Sequence, residues 1–321
     1  MAGARTAPTR IMTKKRLVTI GLVQMTVGKD KNATIAKAER MVRQAAKKGA
    51  KIISLGELFA TPYFPQVSNA PIKDYHESIP GQTTRIMSAL AKELRVTIIV
   101  PMFEKGKGKK GFNTAVVFDD RGKMLGKYHK AHIPHDPGFY EKDYFEHGSS
   151  GYTIFKTKFG KFAVLICYDQ WFPEAAREAR LNGAEMIFYP TAAGDILGYK
   201  HPNDWHDAWE TIQRSHAIAN SVVVAVVNRV GVEGRTRFWG QSFVADAWGE
   251  VLKKASKDKE EVLVVEADLE YNNFLSEGWG FLRNRRPDTY KTLTTNKLVE
   301  KHRGLKGVAH YKAEIRALEK K

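Results

Sequence analysis

Cysteine is almost missing from this chain: Cys167 is the single one among 321 residues. No disulfide can form within one chain, and no cluster of thiolates can hold a metal there. A reducing, cytoplasmic setting is the expectation that follows. Long apolar runs are missing too. No stretch of 18 or more hydrophobic residues occurs, which argues against a membrane-spanning helix. A glycine-rich phosphate loop is also lacking, because GKGKKG at 106–111 has neither the spacing nor a following helix. No Pro/Gly/Ser linker divides the body of the chain, and no internal repeat is found.

Acidic residues are in deficit, with 35 Asp and Glu against 52 Lys and Arg, for a net charge of +17. The excess sits at the ends. Residues 1–16 hold five Arg or Lys and no acid, and residues 283–321 hold twelve against four acids, so 17–282 carries only +4. Such ends read as solvated basic tails. Screening over about 8 Å isolates a cleft in the body from them, and no nucleic-acid partner is expected. Residues 1–16 lack the apolar core of a secretory signal and are expected to be a disordered leader. Residues 17–294 are expected to form one domain. Residues 295–321 are expected to be a basic extension that packs on another subunit or stays disordered.

What is present is strand and helix in alternation. Strands are predicted at Leu17–Gln24, Lys51–Leu55, Thr97–Phe103, Asn113–Phe118, Met124–His129, Phe162–Ile166, Met186–Tyr189 and Val222–Asn228. Ser242–Asp246 and Val262–Glu266 are expected to close an antiparallel region around a turn at Trp248-Gly249. Helices are predicted over Asn32–Lys48 with Asn32 as cap, about 83–94, Pro173–Asn182, and up to Asn220 from a cap at Asp204. The mixture predicts an α/β layered sandwich.

Three polar residues fall at, or one residue beyond, the C-terminal ends of predicted strands, where open α/β sheets place ligands: Glu57, Lys130 and Cys167. A lone cysteine is by default a small buried hydrophobe. Here it stands between an apolar strand and a polar turn that leads into a helix, where nearby N–H groups favour thiolate, the nucleophilic form. A carboxylate at the end of a buried strand must be paired or protonated. His129, His132 and His135 share a three-residue spacing, but Pro134 and Pro137 break a helix there, and no metal site is expected. Asp204, His206, Asp207 and Glu210 read as the start of a helix.

The segments GELF (56–59), KYHKAHIP (127–134) and LICYDQWFPEAAR (165–177), in this order, resemble the nitrilase or carbon–nitrogen hydrolase superfamily over residues 17–290. The resemblance implies a four-layer α-β-β-α sandwich of the nitrilase type and a catalytic set of Glu57, Lys130, Cys167 and a second glutamate. That glutamate matches Glu141 in GFYEKDYF, with Glu146 as the alternative. In the implied reaction Glu57 takes the thiol proton, and Cys167 attacks the carbon of an amide or carbamoyl group. Lys130 and the Tyr168 N–H stabilise the oxyanion, and no cofactor takes part. The superfamily's members form homodimers or larger homo-oligomers, and the same is expected here.

Further strings, CYDQWFPEAAR, YPTA, NRVG, FWGQSFVAD and GWGFLRNRRPDTY, look like the N-carbamoylputrescine amidohydrolase branch. β-Ureidopropionases share many of these blocks. The two substrates differ in charge. An ammonium at the far end of the pocket calls for a carboxylate, whereas a substrate carboxylate calls for arginine. After MIFYP the chain offers Asp195, Asp204 and Asp207 before its first arginine, Arg214, so Asp195 is the expected ammonium contact. Tyr63, Phe64 and Trp171 are expected to wall the methylene chain.

Overall fold

The computed structural model describes residues 14–72, 75–199, 205–295 and 306–319. In chain order the first half runs β1 (Leu17–Gln24), α1 (Lys31–Lys47), β2 (Ile52–Leu55), α2 (Gln82–Leu94), β3 (Thr97–Glu104), β4 (Phe112–Phe118) and β5 (Met124–His129). The second runs β6 (Ile154–Thr157), β7 (Gly160–Val164), α3 (Pro173–Leu181), β8 (Met186–Pro190), β9 (Gly194–Ile196), α4 (Trp205–Asn220) and β10 (Val223–Val227). It is completed by β11 (Val230–Glu233), β12 (Thr236–Trp239), β13 (Phe243–Ala245), β14 (Val251–Lys254), β15 (Glu261–Asp268), α5 (Leu269–Trp279) and α6 (Lys306–Glu319).

Two six-stranded sheets result, ordered β15-β1-β2-β3-β4-β5 and β14-β13-β10-β8-β7-β6, with a small β11-β12-β9 sheet beside them. Both follow one plan: three parallel strands in the middle, antiparallel strands outside. Period-two alternation decides which neighbour each strand face meets. On β1, Val18, Ile20 and Leu22 join the core between the sheets, while Val23 joins the core under α1 and α2. Ile99, Ala115 and Val117 likewise face the second sheet, and Ile98, Val100 and Val116 face the helices. β8 and β10 are buried on both faces and apolar throughout, as central parallel strands must be. With α3 and α4 covering the second sheet, the layers run α-β-β-α.

Helix boundaries follow local chemistry. α1 begins two residues earlier than expected because the Asp30 carboxylate, not Asn32, accepts the Ala33 N–H at 3.0 Å. Asp204, the expected cap of α4, lies outside the described residues. One pairing was misread. Val262–Glu266 does not close on Ser242–Asp246; β15 pairs antiparallel with β1 in the other sheet, and β13 pairs with β14. Strand partners are long-range choices that a run of apolar residues does not encode. Part of the C-terminal extension is structured: α6 folds back on its own chain, where Glu319 accepts from the Gly138 N–H at 2.9 Å and the Tyr140 hydroxyl at 2.8 Å. Residues 1–13 lie outside the described part.

At Gly21 a Cβ would stand 2.8 Å from the Ala50 Cβ and 3.2 Å from that of Ala45. Only glycine lets α1 and its loop lie this close to β1. Gly21→Val should destabilise the protein by about 1–3 kcal/mol through overpacking, read as a lower urea midpoint with an unchanged slope.

Candidate active site

β2 ends in Leu55, and two residues later the Glu57 side chain is fully buried. Its Oε1 accepts from Lys130 Nζ at 2.8 Å and Asn113 Nδ2 at 2.7 Å, and its Oε2 has no partner. The backbone after it is held just as firmly. Arg229, buried, donates to the Glu57 carbonyl at 2.6 Å and the Leu58 carbonyl at 3.1 Å, and its other nitrogen meets both oxygens of Glu233 at 2.8 Å. Glu233 in turn accepts the Tyr63 N–H at 2.7 Å. This clamp fixes a turn in which Leu58 has φ 48°, a conformation that costs energy for a branched residue and persists only where its surroundings enforce it.

Lys130 stands one residue beyond β5, wholly buried, with its backbone N–H on the Asn113 carbonyl at 2.9 Å. Nζ donates to Glu57 and, at 2.6 Å, to Glu141 Oε2. Burial alone would strip its proton, but Glu141 and Glu57 together hold the ammonium charged well above its ordinary range. Glu141 is likewise buried, and its Oε1 accepts the Tyr63 hydroxyl at 2.8 Å. Burial pushes its carboxyl up, against the pull of Lys130. Glu146, the alternative second glutamate, is exposed at the surface.

Cys167 follows β7 after two more extended residues and takes φ 46° as the chain turns into a short 3₁₀ segment, Cys167–Trp171, ahead of α3. Asp169 ties this elbow down. It accepts the Ile166 N–H and the Tyr128 hydroxyl, each at 2.8 Å, together with the His132 N–H at 2.9 Å and Nδ1 at 2.7 Å. The thiol differs from expectation. Burial and the Glu57 charge push it up, Lys130 only partly opposes them, and it rests protonated rather than as a thiolate.

Cys167 and Glu141 reach a cavity of about 540 Å³, lined also by Tyr168, Gln170, Trp171, Trp205, Trp209, Trp239 and Tyr311. Of the residues expected at the substrate, Tyr168 and Trp171 line it and Tyr63, Asp195 and Phe64 do not. Tyr63 is fully buried and supports Glu141. Asp195 is exposed on β9, in register with Arg237 of β12; Ala192, Ala193 and Gly194 just before it reach the cavity instead. Phe64 is core, packed on Tyr75, Phe103, Tyr144 and Phe145. The three histidines diverge: His129 to Glu104, His132 to Asp169 and a stack on Phe172, His135 toward Asp143. Asn113, Asp169, Arg229 and Glu233 escaped the sequence reading. Asp169 and Arg229 lie inside quoted strings, but nothing local announces which backbone each would hold.

The arrangement suits proton-coupled nucleophilic attack. A neutral thiol lines the cavity, and the buried cluster behind it offers a carboxylate with one unpartnered oxygen and an ammonium with a third hydrogen for an oxyanion.

The pattern of the carbon-nitrogen hydrolase family matches residues 19–273. N-carbamoylputrescine amidases of Solanum lycopersicum and Arabidopsis thaliana are 41% and 40% identical over 295 residues each, covering 88% of this chain and 96% and 97% of theirs. The crystal structure of a carbon-nitrogen hydrolase from Helicobacter pylori G27 superposes with a TM-score of 0.84 at 40% identity, covering 88% of this chain and all of that one. The chain belongs to the carbon–nitrogen hydrolase family and is a hydrolase of carbon–nitrogen bonds other than peptide bonds.

A raised thiol pKa leaves less thiolate at neutral pH than an ordinary cysteine has. Modification of Cys167 by methyl methanethiosulfonate should therefore accelerate about tenfold per pH unit from pH 7 to 9; a plateau below pH 7 would reveal a preformed thiolate. Lys130→Met leaves two buried carboxylates without their cation and should cost about 3–5 kcal/mol. Adding Glu141→Gln should recover part of that loss in the same unfolding assay.

Proposed function

We propose that this carbon–nitrogen hydrolase cleaves N-carbamoylputrescine to putrescine, carbon dioxide and ammonia, a step that yields a polyamine precursor. The observation that carries the chemistry is the Glu57–Lys130–Glu141 ion cluster beside Cys167. The two amidases named above support the choice of substrate. The cavity supports it as well: indole and phenyl rings of Trp171, Trp205, Trp209, Trp239 and Phe139 suit four methylenes, and the charged residues described in its lining are the carboxylates Glu141 and Asp136. A substrate ending in a carboxylate would be repelled there.

In the proposed reaction Glu57 Oε2 accepts the Cys167 proton as Sγ bonds to the carbamoyl carbon. The oxyanion forms against Lys130 Nζ and the Tyr168 N–H. Glu57 returns the proton to the departing nitrogen, and the C–N bond breaks to leave a thiocarbamate on Cys167. Water, giving its proton to Glu57, attacks that carbon; the C–S bond breaks and Glu57 passes the proton back to the departing Sγ. The carbamic acid released falls apart to amine and carbon dioxide. Glu141 and Tyr63 orient Lys130 throughout, and no cofactor is needed.

We also infer a cytoplasmic enzyme that assembles as a homodimer or larger homo-oligomer. No helix among the described residues is long and apolar enough to cross a membrane. Exposed Ile218 of α4, Trp248 and Trp279 form a continuous apolar patch, with Trp248 and Trp279 stacked at 5.7 Å, that a second copy would cover.

Ammonia release from N-carbamoylputrescine should be catalysed by the wild type, fall by about 100- to 10,000-fold in Glu57→Gln, and vanish in Cys167→Ala with the fold kept. Preference for N-carbamoyl-β-alanine would overturn the substrate. For assembly, light scattering should give the mass of two or more chains, reduced by Trp248→Glu with Trp279→Glu.

A further inference from the structure

Cavity lining beyond the catalytic cluster includes one more carboxylate, Asp136. It opens the turn Asp136-Pro137-Gly138-Phe139. Proline sits at the first central position, Gly138 has φ 81° at the second, and the Phe139 N–H returns to the Asp136 carbonyl at 2.7 Å. Both central residues suit a type II turn, so Asp136 is carried on a stiff support. Glu141, the other carboxylate in the lining, is already engaged by Lys130 and Tyr63.

Helix α6 lies over this turn. Glu319 accepts from Gly138 and Tyr140, Ile315 is buried, and the Tyr311 ring packs on that of Tyr199 at 5.2 Å while lining the cavity. The next residue, Lys312, sets its ammonium on Asp136 Oδ1, an oxygen otherwise shielded from solvent. The Tyr168 hydroxyl, raised by burial and then by Asp136, feels both Lys130 and Lys312.

A lysine side chain is four methylenes ending in a primary ammonium. So is the putrescine half of the substrate proposed above, on which reading this inference rests. We propose that Asp136 is the specificity residue that binds the ammonium end of the substrate, and that Lys312 occupies this subsite in the free enzyme until the substrate's ammonium displaces it. The C-terminal helix thereby sets a surrogate of the ligand's ammonium end at the cavity rim. Both cations suit the same oxygen, and only one can hold it at a time.

The test uses the full-length chain and two substrates of equal carbon length, N-carbamoylputrescine and the neutral N-butylurea, with kcat and KM measured for wild type, Asp136→Asn and Lys312→Gln. In Asp136→Asn the ratio of kcat/KM for the cationic over the neutral substrate should fall by about 10- to 100-fold, mainly through KM. In Lys312→Gln, at a half-buried helix position, KM for the cationic substrate should drop several-fold and the ratio should rise. An unchanged ratio in Asp136→Asn, or a raised KM in Lys312→Gln, would overturn the inference while leaving the substrate reading intact. Wild-type enzyme that ignores N-carbamoylputrescine and turns over N-carbamoyl-β-alanine would overturn both.

Discussion

One buried ammonium organises this protein. Lys130 Nζ lies out of reach of water between Glu57 and Glu141, and the two carboxylates are what keep it charged there. An isolated ion at that depth costs several kcal/mol, roughly what its removal from a pair also costs. The cluster is therefore a constraint on geometry as much as a source of chemistry. Glu57 hangs from the end of β2, Lys130 from the end of β5, and Glu141 from the loop beyond it, so two strand ends and that loop must meet within hydrogen-bond distance. Burial first, and then the Glu57 charge, keep the neighbouring thiol protonated and make a proton acceptor necessary at the moment of attack.

Around the cluster stands a layer of polar residues whose work is to hold backbone. Arg229 and Glu233 grip the carbonyls and the amide of residues 57–63, and Asp169 binds the turn at Cys167 to the stretch after β5. Each ties the loops of one sheet to the other, which is why the site lies across the interface of two layers and not on either sheet alone. Positive φ at Leu58 and Cys167 marks the two places where these ties hold the chain away from its preferred conformation.

The mouth of the cavity obeys a different physics. There the groups are half-exposed, charges are screened, and the contacts come from a helix more than 120 positions beyond Cys167 in the chain. Ion pairs of this kind are worth little to stability, which makes them suited to exchange. A rigid buried cluster at the floor and a weak replaceable pair at the rim divide catalysis from recognition.

The amino-acid sequence alone was enough for the layered α/β architecture and for the central strands, because period-two alternation and unbroken apolar runs are written locally. It also put Glu57, Lys130 and Cys167 at or just beyond strand ends, but as a catalytic set they were legible only through resemblance. Glu141 was legible through resemblance, and its burial against Lys130, with Glu146 at the surface, agrees with that choice. Tertiary structure alone decided the rest. Pairing of β15 with β1 depends on a partner some 240 residues away. Tyr63 became a support for Glu141 because its loop is clamped by Arg229 and Glu233, and Asp195 went outward because β9 pairs in register with β12. The basic C-terminal stretch reads in the sequence as a solvated tail, since charge composition carries no address. Only folding brings Lys312 onto Asp136, because the attraction between them exists only once two remote segments share one rim.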